Sequence, residues 1–279
     1  MFLSNPKKQI TAIVVTSLAA ATLYLGVKWQ TSTVKRVNDA PSAVATGKPG
    51  MQNGGALSKE TISRVQFLSS LFSESKPPPY IARVILQDPK TISIDSLEVA
   101  LKWAQETKNA PLVALMHSDL MEFKQKGTLA DVAREFVFLA ASQIENETQR
   151  DFLFQQGKKW IDKGLSEDNR QMPLRNALIV YQSEYLNQPM AFVGTLKESQ
   201  QIDSNDLELN FIHLNLLKKS NQMGKAVKKC EKLVSLQPEN PYWLYELSDL
   251  YGQSGDSVNA KIYLNLAVKL QRKTQETNK

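Results

Sequence analysis

Residues 243–270 read WLYELSDLYGQSGDSVNAKIYLNLAVKL. The aromatic residues, acidic cluster and central glycine turn could line a chemical site or fill one unit of a packing repeat. The stretch before it, LELNFIHLNLLKKSNQMGKAVKKCEKLVSLQPEN at 207–240, decides between them. Sliding by 34 residues lays Leu217 on Tyr251, Ala226 on Ala260, Leu233 on Ala267 and Leu236 on Leu270. Two apolar helical segments parted by a polar turn and repeated at a fixed period describe a helical hairpin stacked on its copy. Small side chains let the paired helices approach, and large ones fill the space between them. The tyrosines and leucines of the quoted stretch are explained by packing and call for no cofactor.

Upstream of the repeat the helical period continues from residue 58. SKETISRVQFLSSLFSE places Ile62, Val65, Phe67, Leu68 and Phe72 near one side of a helix, with Ser58 as its N-cap. KPPPY at 76–80 then interrupts, because consecutive prolines hold the backbone extended and cannot donate hydrogen bonds. A break between helices and a polyproline ligand both fit those prolines, and the break is the simpler reading. SIDSLEVALKWAQETKN, APLVALMHSDLMEFKQKG, LADVAREFVFLAASQI, QRDFLFQQGKKWIDKGLS and PLRNALIVYQSEYLNQ are amphipathic segments joined by short polar turns. No alternating strand pattern occurs, so the fold class is all-α, with helices packed as antiparallel hairpins into a solenoid. The expected divisions are helical hairpins over 58–200, the regular repeats over 201–272 and a polar tail over 273–279.

The repeat resembles the tetratricopeptide (TPR) family. The resemblance rests on Leu247 and Tyr251 in the first helix, Gly255 and Asp256 at the turn, Ala260 and Ala267 in the second helix, and Pro238 closing the preceding unit. It covers about residues 207–272. In the same register, the segment around 173–203 carries Phe192 where the small alanine belongs and Ser183 where tyrosine or leucine belongs. A degenerate repeat and an unrelated hairpin both fit it. Stacked repeats are stabilised by their neighbours, so the upstream helices are expected to extend or cap the stack. What the resemblance implies is a protein- or peptide-binding groove lined by first helices. Carried over by position, that face comprises Glu208, Phe211, Asn215, Lys218, Lys219, Tyr242, Tyr245, Asp249 and Gln253. One variant of the family grips a C-terminal carboxylate with lysines and asparagines. Here Phe211 stands at a lysine slot and Glu246 at an asparagine slot, so the resemblance implies a groove suited to an amphipathic helix or extended peptide instead.

The N-terminal sequence MFLSNPKKQITAIVVTSLAAATLYLGVKWQ has Lys7 and Lys8 before an uncharged run from Gln9 to Val27, closed by Lys28 and Trp29. At about 1.5 Å per residue, roughly 20 helical residues cross a hydrocarbon core of about 30 Å. A transmembrane helix is therefore expected over 9–28, after a tail at 1–8, with the lipid bilayer as a partner of that segment. A cleaved signal peptide is the rival, since Ala19 and Ala21 offer small-residue spacing. Lysines on the short side favour a cytoplasmic N-terminus, which puts the C-terminal domain in the periplasm; a cytosolic C-terminal domain is the alternative. Residues 29–57, rich in Gly, Ser, Thr, Pro and Asn, read as a flexible linker.

A net charge of +6 over 279 residues allows acidic partners, but lysines spread along a chain are mostly solvated, and nucleic-acid binding is not expected. His117 and His213, the chain's two histidines, stand 96 positions apart without the helical partner that a zinc site needs, so no metal is expected. GKPGMQNGG in the linker and NQMGKAVKK in the repeat both lack the ending of a phosphate loop. Cys230 cannot close a disulfide by itself and reads as a small buried hydrophobe. Lys225, Lys228, Lys229 and Lys232 recur at helical spacing opposite Ala226, Cys230 and Leu233. That basic patch is either a solvated face or a docking site for acidic protein or anionic headgroups. The function expected is that of a membrane-anchored scaffold or adaptor in a bacterial envelope assembly, without catalytic residues or cofactor. The alternatives are a cytosol-facing anchored receptor and an enzyme in an unfamiliar helical fold.

Overall fold

The structure, a computed structural model, describes residues 60–277, with 75, 143 and 187 excepted. The expected membrane segment at 9–28, the linker at 29–57 and the N-cap at Ser58 lie outside the described residues. The chain divides into two compact units, Met1–Thr61 and Ile62–Lys279, and the second is described here. Its helices are α1 (Arg64–Glu74), α2 (Pro79–Leu86), α3 (Ile94–Glu106), α4 (Ala110–Lys124), α5 (Leu129–Ser142), α6 (Glu147–Glu167), α7 (Met172–Glu184), α8 (Pro189–Ile202), α9 (Leu207–Lys219), α10 (Met223–Leu236), α11 (Pro241–Gln253) and α12 (Ser257–Thr277). Among the described residues there is no strand, and no helix is long and apolar enough to cross a membrane.

Local chemistry fixes where these helices begin. The side chains of Ser93, Asn109, Asn146, Asp206 and Asn240 each accept a backbone N–H in the first turn of α3, α4, α6, α9 and α11. Proline occupies the first turn of α2, α4, α7, α8 and α11, where its missing N–H costs nothing. The prolines of KPPPY thus part α1 from α2, with Pro79 opening the second helix. Of the side read from the sequence as apolar, Phe67 and Leu68 are buried and Ile62 and Phe72 pack partly buried against the core, whereas Val65 is 70% exposed; Leu71 is buried with them. Leu71 falls between Phe67 and Leu68 around the helix and centres the buried face there, which leaves Val65 at its exposed edge. α12 runs on through the polar residues after 270 to Thr277.

Helices α3 to α12 pack as five consecutive hairpins, α3/α4, α5/α6, α7/α8, α9/α10 and α11/α12. The second helices of the last three hairpins begin at 189, 223 and 257, so the 34-residue spacing extends to the hairpin that the sequence leaves ambiguous. Asn221 and Gly255 take positive φ two residues before α10 and α12, and Lys108 does so before α4. Matching hydrogen bonds close all three turns. Lys108 N donates to Gln105 O, Asn221 N to Lys218 O and Gly255 N to Gly252 O; one residue on, Asn109 N reaches Ala104 O, Gln222 N reaches Leu217 O and Asp256 N reaches Tyr251 O. A lysine in the left-handed region is uncommon, so the turn before α4 is imposed by packing and not by its own residue.

Two hydrophobic clusters fill the unit. The larger gathers residues from Phe67 to Ile212, with Trp160, Phe67, Phe136 and Phe154 fully buried, each contributing about 1.5–3 kcal/mol by leaving water. Phe67 and Phe152 stack at 4.0 Å, bringing α1 onto α6. Helix α6 approaches its neighbours through glycine: a Cβ on Gly157 would stand 2.5 Å from Val137 Cγ2 on α5, and one on Gly164 2.3 Å from Leu174 Cδ1 on α7. The smaller cluster holds Leu214, Leu217, Ala226, Val227, Cys230, Leu233, Trp243, Leu247 and Leu250. Helix α9 belongs to both, giving Leu209 and Ile212 to the first and Leu214 and Leu217 to the second.

Candidate functional site

The candidate groove residues of α9 sit at helical spacing on one side of that helix, and those of α11 do likewise. Polar contacts link this side across four first helices. Glu208 in the first turn of α9 accepts from Arg134 of α5, and its other oxygen accepts from Asn176 Nδ2 of α7 at 3.0 Å. Lys219 Nζ donates to both oxygens of Glu184 on α7, at 2.6 and 2.7 Å. Lys218 pairs with Glu246 of α11, whose side chain is buried. Three charged members of the expected set are therefore engaged with neighbouring helices and stitch the stack together. Arg134 and Asn176 belong to the same constellation, and no sequence signal marked them because they lie outside the regular repeats. Glu246, which breaks the carboxylate-clamp pattern, serves here as the buried counter-ion of Lys218.

The remaining members form an aromatic and amide surface. The Phe211 ring tilts against Trp243 at 5.6 Å, and Tyr242 meets Trp243 edge-on at 4.8 Å. Trp243 Nε1 donates to Gln237 Oε1 at 2.7 Å, which holds the cluster's orientation. Burial, then the charge of Glu246, pushes the Tyr242 hydroxyl well above the usual tyrosine range, so it stays a proton donor. Tyr245 OH donates to Gln271 Oε1 of α12 at 2.6 Å, and Gln253 Nε2 to Asp249 Oδ2 at 2.6 Å. Among the described residues the half-buried side chain of Asn215 and the Tyr242 hydroxyl make no hydrogen bond.

The basic patch divides in two. Lys229 Nζ donates to Asn210 Oδ1 at 3.0 Å and Lys232 Nζ to Ser204 O at 2.6 Å, tying α10 to the α8–α9 connection and the start of α9. Burial and nearby Lys232 lower the Lys229 pKa. Lys225 and Lys228 are exposed beside an open hollow of about 490 Å³ at the turn 221–224. Four lysines at helical spacing read as one face, but α9 and the connection before it lie on one flank and draw the last two of them inward.

His213 lies on the opposite side of α9 from the groove, its Nδ1 3.0 Å from Gln200 Nε2. Burial, with Lys229 and Lys225 nearby, lowers its pKa to about 4, and it is neutral at pH 7. His117 is different: burial lowers its pKa, but the hydrogen bond from Nδ1 to Glu135 at 2.7 Å and the charges of Glu135 and Asp131 outweigh it, and the net shift is upward. Cys230 is fully buried, its thiol donating to Trp243 O at 3.5 Å, and burial pushes the thiol pKa up, away from reactivity. Among the described residues no group of three or more histidine, cysteine or acidic side chains could hold a metal ion.

No protein-family model matches the chain, and no curated protein matches it. Among solved structures it is similar to the MamA RS-1 ArsTM double mutant, at 11% identity over 68% of this chain and 99% of that one, with a TM-score of 0.45. It is also similar to MamA 41-end from Desulfovibrio magneticus RS-1, at 12% identity over 67% and 98%, TM-score 0.44. MamA MSR-1 C2 follows at 11% identity over 64% and 96%, TM-score 0.39. At TM-scores below 0.5 the likeness bears on neither function nor partner.

Proposed function

We propose that the chain is a scaffold or adaptor whose hairpin stack, of the tetratricopeptide kind, holds a protein partner on the side formed by α5, α7, α9 and α11. The observation that carries this reading is the surface of Tyr242, Phe211 and Asn215. Aromatic rings are positioned there by Trp243, unengaged polar ends lie beside them, and ion pairs around them fix the helices that present them. An amphipathic helix or extended peptide supplies both the apolar side chains for the rings and the backbone groups for Asn215. The chemistry is recognition and not catalysis.

The finer reading is of an anchored protein. The uncharged run at 9–28 supports a single membrane span, and the linker at 29–57 supports a domain held off the bilayer. On that reading the repeats work in the periplasm, in assembly or quality control of an envelope complex. Labelling of a cysteine introduced at the C-terminus from outside intact spheroplasts is the expected result; labelling only after lysis puts the domain in the cytosol. For the groove, capture with the anchored full chain should recover a partner that is lost from Asn215→Ala/Tyr242→Ala while the variant melts like the parent. Equal capture by both would remove the groove from the function.

A further inference from the structure

Helix α12 presents a second surface, unrelated to the groove. Toward α11 it turns Ala260, Tyr263 and Ala267: Ser248 Oγ donates to Ala260 O at 2.7 Å, Tyr263 stacks on Tyr251 at 5.4 Å and Ala267 is fully buried. Away from α11 it presents Val258, Ile262 and Leu266, spaced by four residues and 70%, 48% and 46% exposed. Such spacing puts the three on one stripe.

The 34-residue register makes this stripe informative. The equivalent positions of α10 are Gly224, the exposed Lys228 and Lys232, which reaches Ser204 O, and none of them is aliphatic. At those places α12 substitutes three branched aliphatic side chains, and none of them serves its contact with α11. A second correspondence concerns the flank by which one hairpin meets the next. Cys230 of α10 is fully buried beneath α11, whereas its counterpart Leu264 is 45% exposed. Val227, also buried there, has the exposed Lys261 as its counterpart.

Charge defines what fits. Helix α10 carries four lysines against one glutamate, a net +3. Helix α12 carries Lys261, Lys269, Arg272 and Lys273 against Glu276, again +3. Helix α12 thus repeats the basic character of α10 and adds an apolar stripe beside its lysines. We infer that the outer face of α12, built on Val258, Ile262 and Leu266 and bordered by Lys261 and Lys269, docks an acidic amphipathic helix of a partner protein. Leucines of that helix cover the aliphatic stripe, and its carboxylates meet the lysines in a partly desolvated rim.

The probe is a labelled designed helical peptide with leucines on one face and glutamates elsewhere, titrated against the full chain by fluorescence anisotropy. The acidic peptide should bind, weaken as salt rises, and lose at least about tenfold in affinity on Ile262→Glu/Leu266→Glu, variants that should melt like the parent because both side chains are exposed. Lys261→Glu/Lys269→Glu should lose the acidic peptide and gain its lysine counterpart, whereas Lys225→Glu/Lys228→Glu on α10, with the same change of charge, should bind like the parent. Equal loss in the α10 variant, or equal binding of a peptide with its leucines scrambled, reduces the effect to general electrostatics and overturns the assignment. So does absence of binding. A dimer seen by sedimentation that Ile262→Glu/Leu266→Glu abolishes would give the face to a second copy. Phosphatidylserine vesicles that retain the parent and release that variant would give it to a membrane. Either result also overturns the proposal.

Discussion

The hairpins between α3 and α8 and the pair formed by α9 to α12 are built by opposite economies. The upstream part hides large side chains: Trp160, Phe136 and Phe154 lie fully inside, and the glycines of α6 let two neighbours touch it. The downstream part keeps strict spacing with little bulk. Its cluster has nine buried residues, three of them no larger than valine, and much of α12 faces outward. The difference shows that a visible repeat is not a measure of packing strength. Where many large residues share a core, one can replace another and the spacing drifts. Where few contacts hold two helices, each small residue must stand at its place.

The largest expected effect tests the upstream side. Trp160→Ala removes a fully buried indole whose Nε1 donates to Ser118 Oγ, and should lower the unfolding free energy by about 3–5 kcal/mol in urea denaturation. Trp243→Ala, in the smaller cluster, should cost less because its indole is not fully enclosed; equal losses would erase the contrast between the two parts. Next comes the stitching of α9 to α11. Lys218→Met leaves the buried Glu246 carboxylate without its cation and should cost about 1–3 kcal/mol, while adding Glu246→Gln should recover part of that loss. A double-mutant cycle with no coupling would make the pair incidental.

Within the last hairpin, Ala260→Trp should overpack the approach of α12 to α11 and cost about 1–3 kcal/mol. Tyr245→Ala gives up one exposed hydrogen bond to Gln271 and should cost less than about 1 kcal/mol, so that any loss of partner binding is read directly. Unfolding of the domain by Tyr245→Ala would place that residue in the core.

The histidines act only through pH and carry opposite signs. His213, with its folded pKa lowered to about 4, contributes stability that is present above the ordinary histidine value of 6.5 and is lost as pH falls from there toward 4. His117, raised, contributes stability that is present below 6.5 and is lost as pH rises through its folded pKa. NMR titration should show the two on either side of 6.5. Lys229→Met should move His213 upward and leave His117 in place, and Glu135→Gln should lower His117 alone. Coincident titrations would show that neither environment is as the structure has it.

Most of the helices were legible because apolar periodicity, proline and capping side chains act within one or two turns of chain. Asn240 before Pro241 opens α11, and the KPPPY prolines open α2. Of the candidate groove, the sharing of one side by the α9 and α11 residues was legible from their spacing. That Glu208, Lys218 and Lys219 are spoken for was not, since their partners Arg134, Glu246 and Glu184 lie 74, 28 and 35 residues away. Nor was the division of the four lysines, which depends on where the α8–α9 connection passes α10.

By itself the sequence determined that the chain is helical from the first described helix onward, where its hairpins break, and that its last units repeat every 34 residues. Each of these follows from backbone preference and side-chain period, which neighbouring residues settle among themselves. The tertiary structure alone decided that Lys108 adopts the left-handed turn that Asn221 and Gly255 adopt, that α9 serves two cores, and that the aliphatic stripe of α12 lies uncovered. Those outcomes turn on which helix lies against which, and a contact between distant segments is set by the packing of the whole stack.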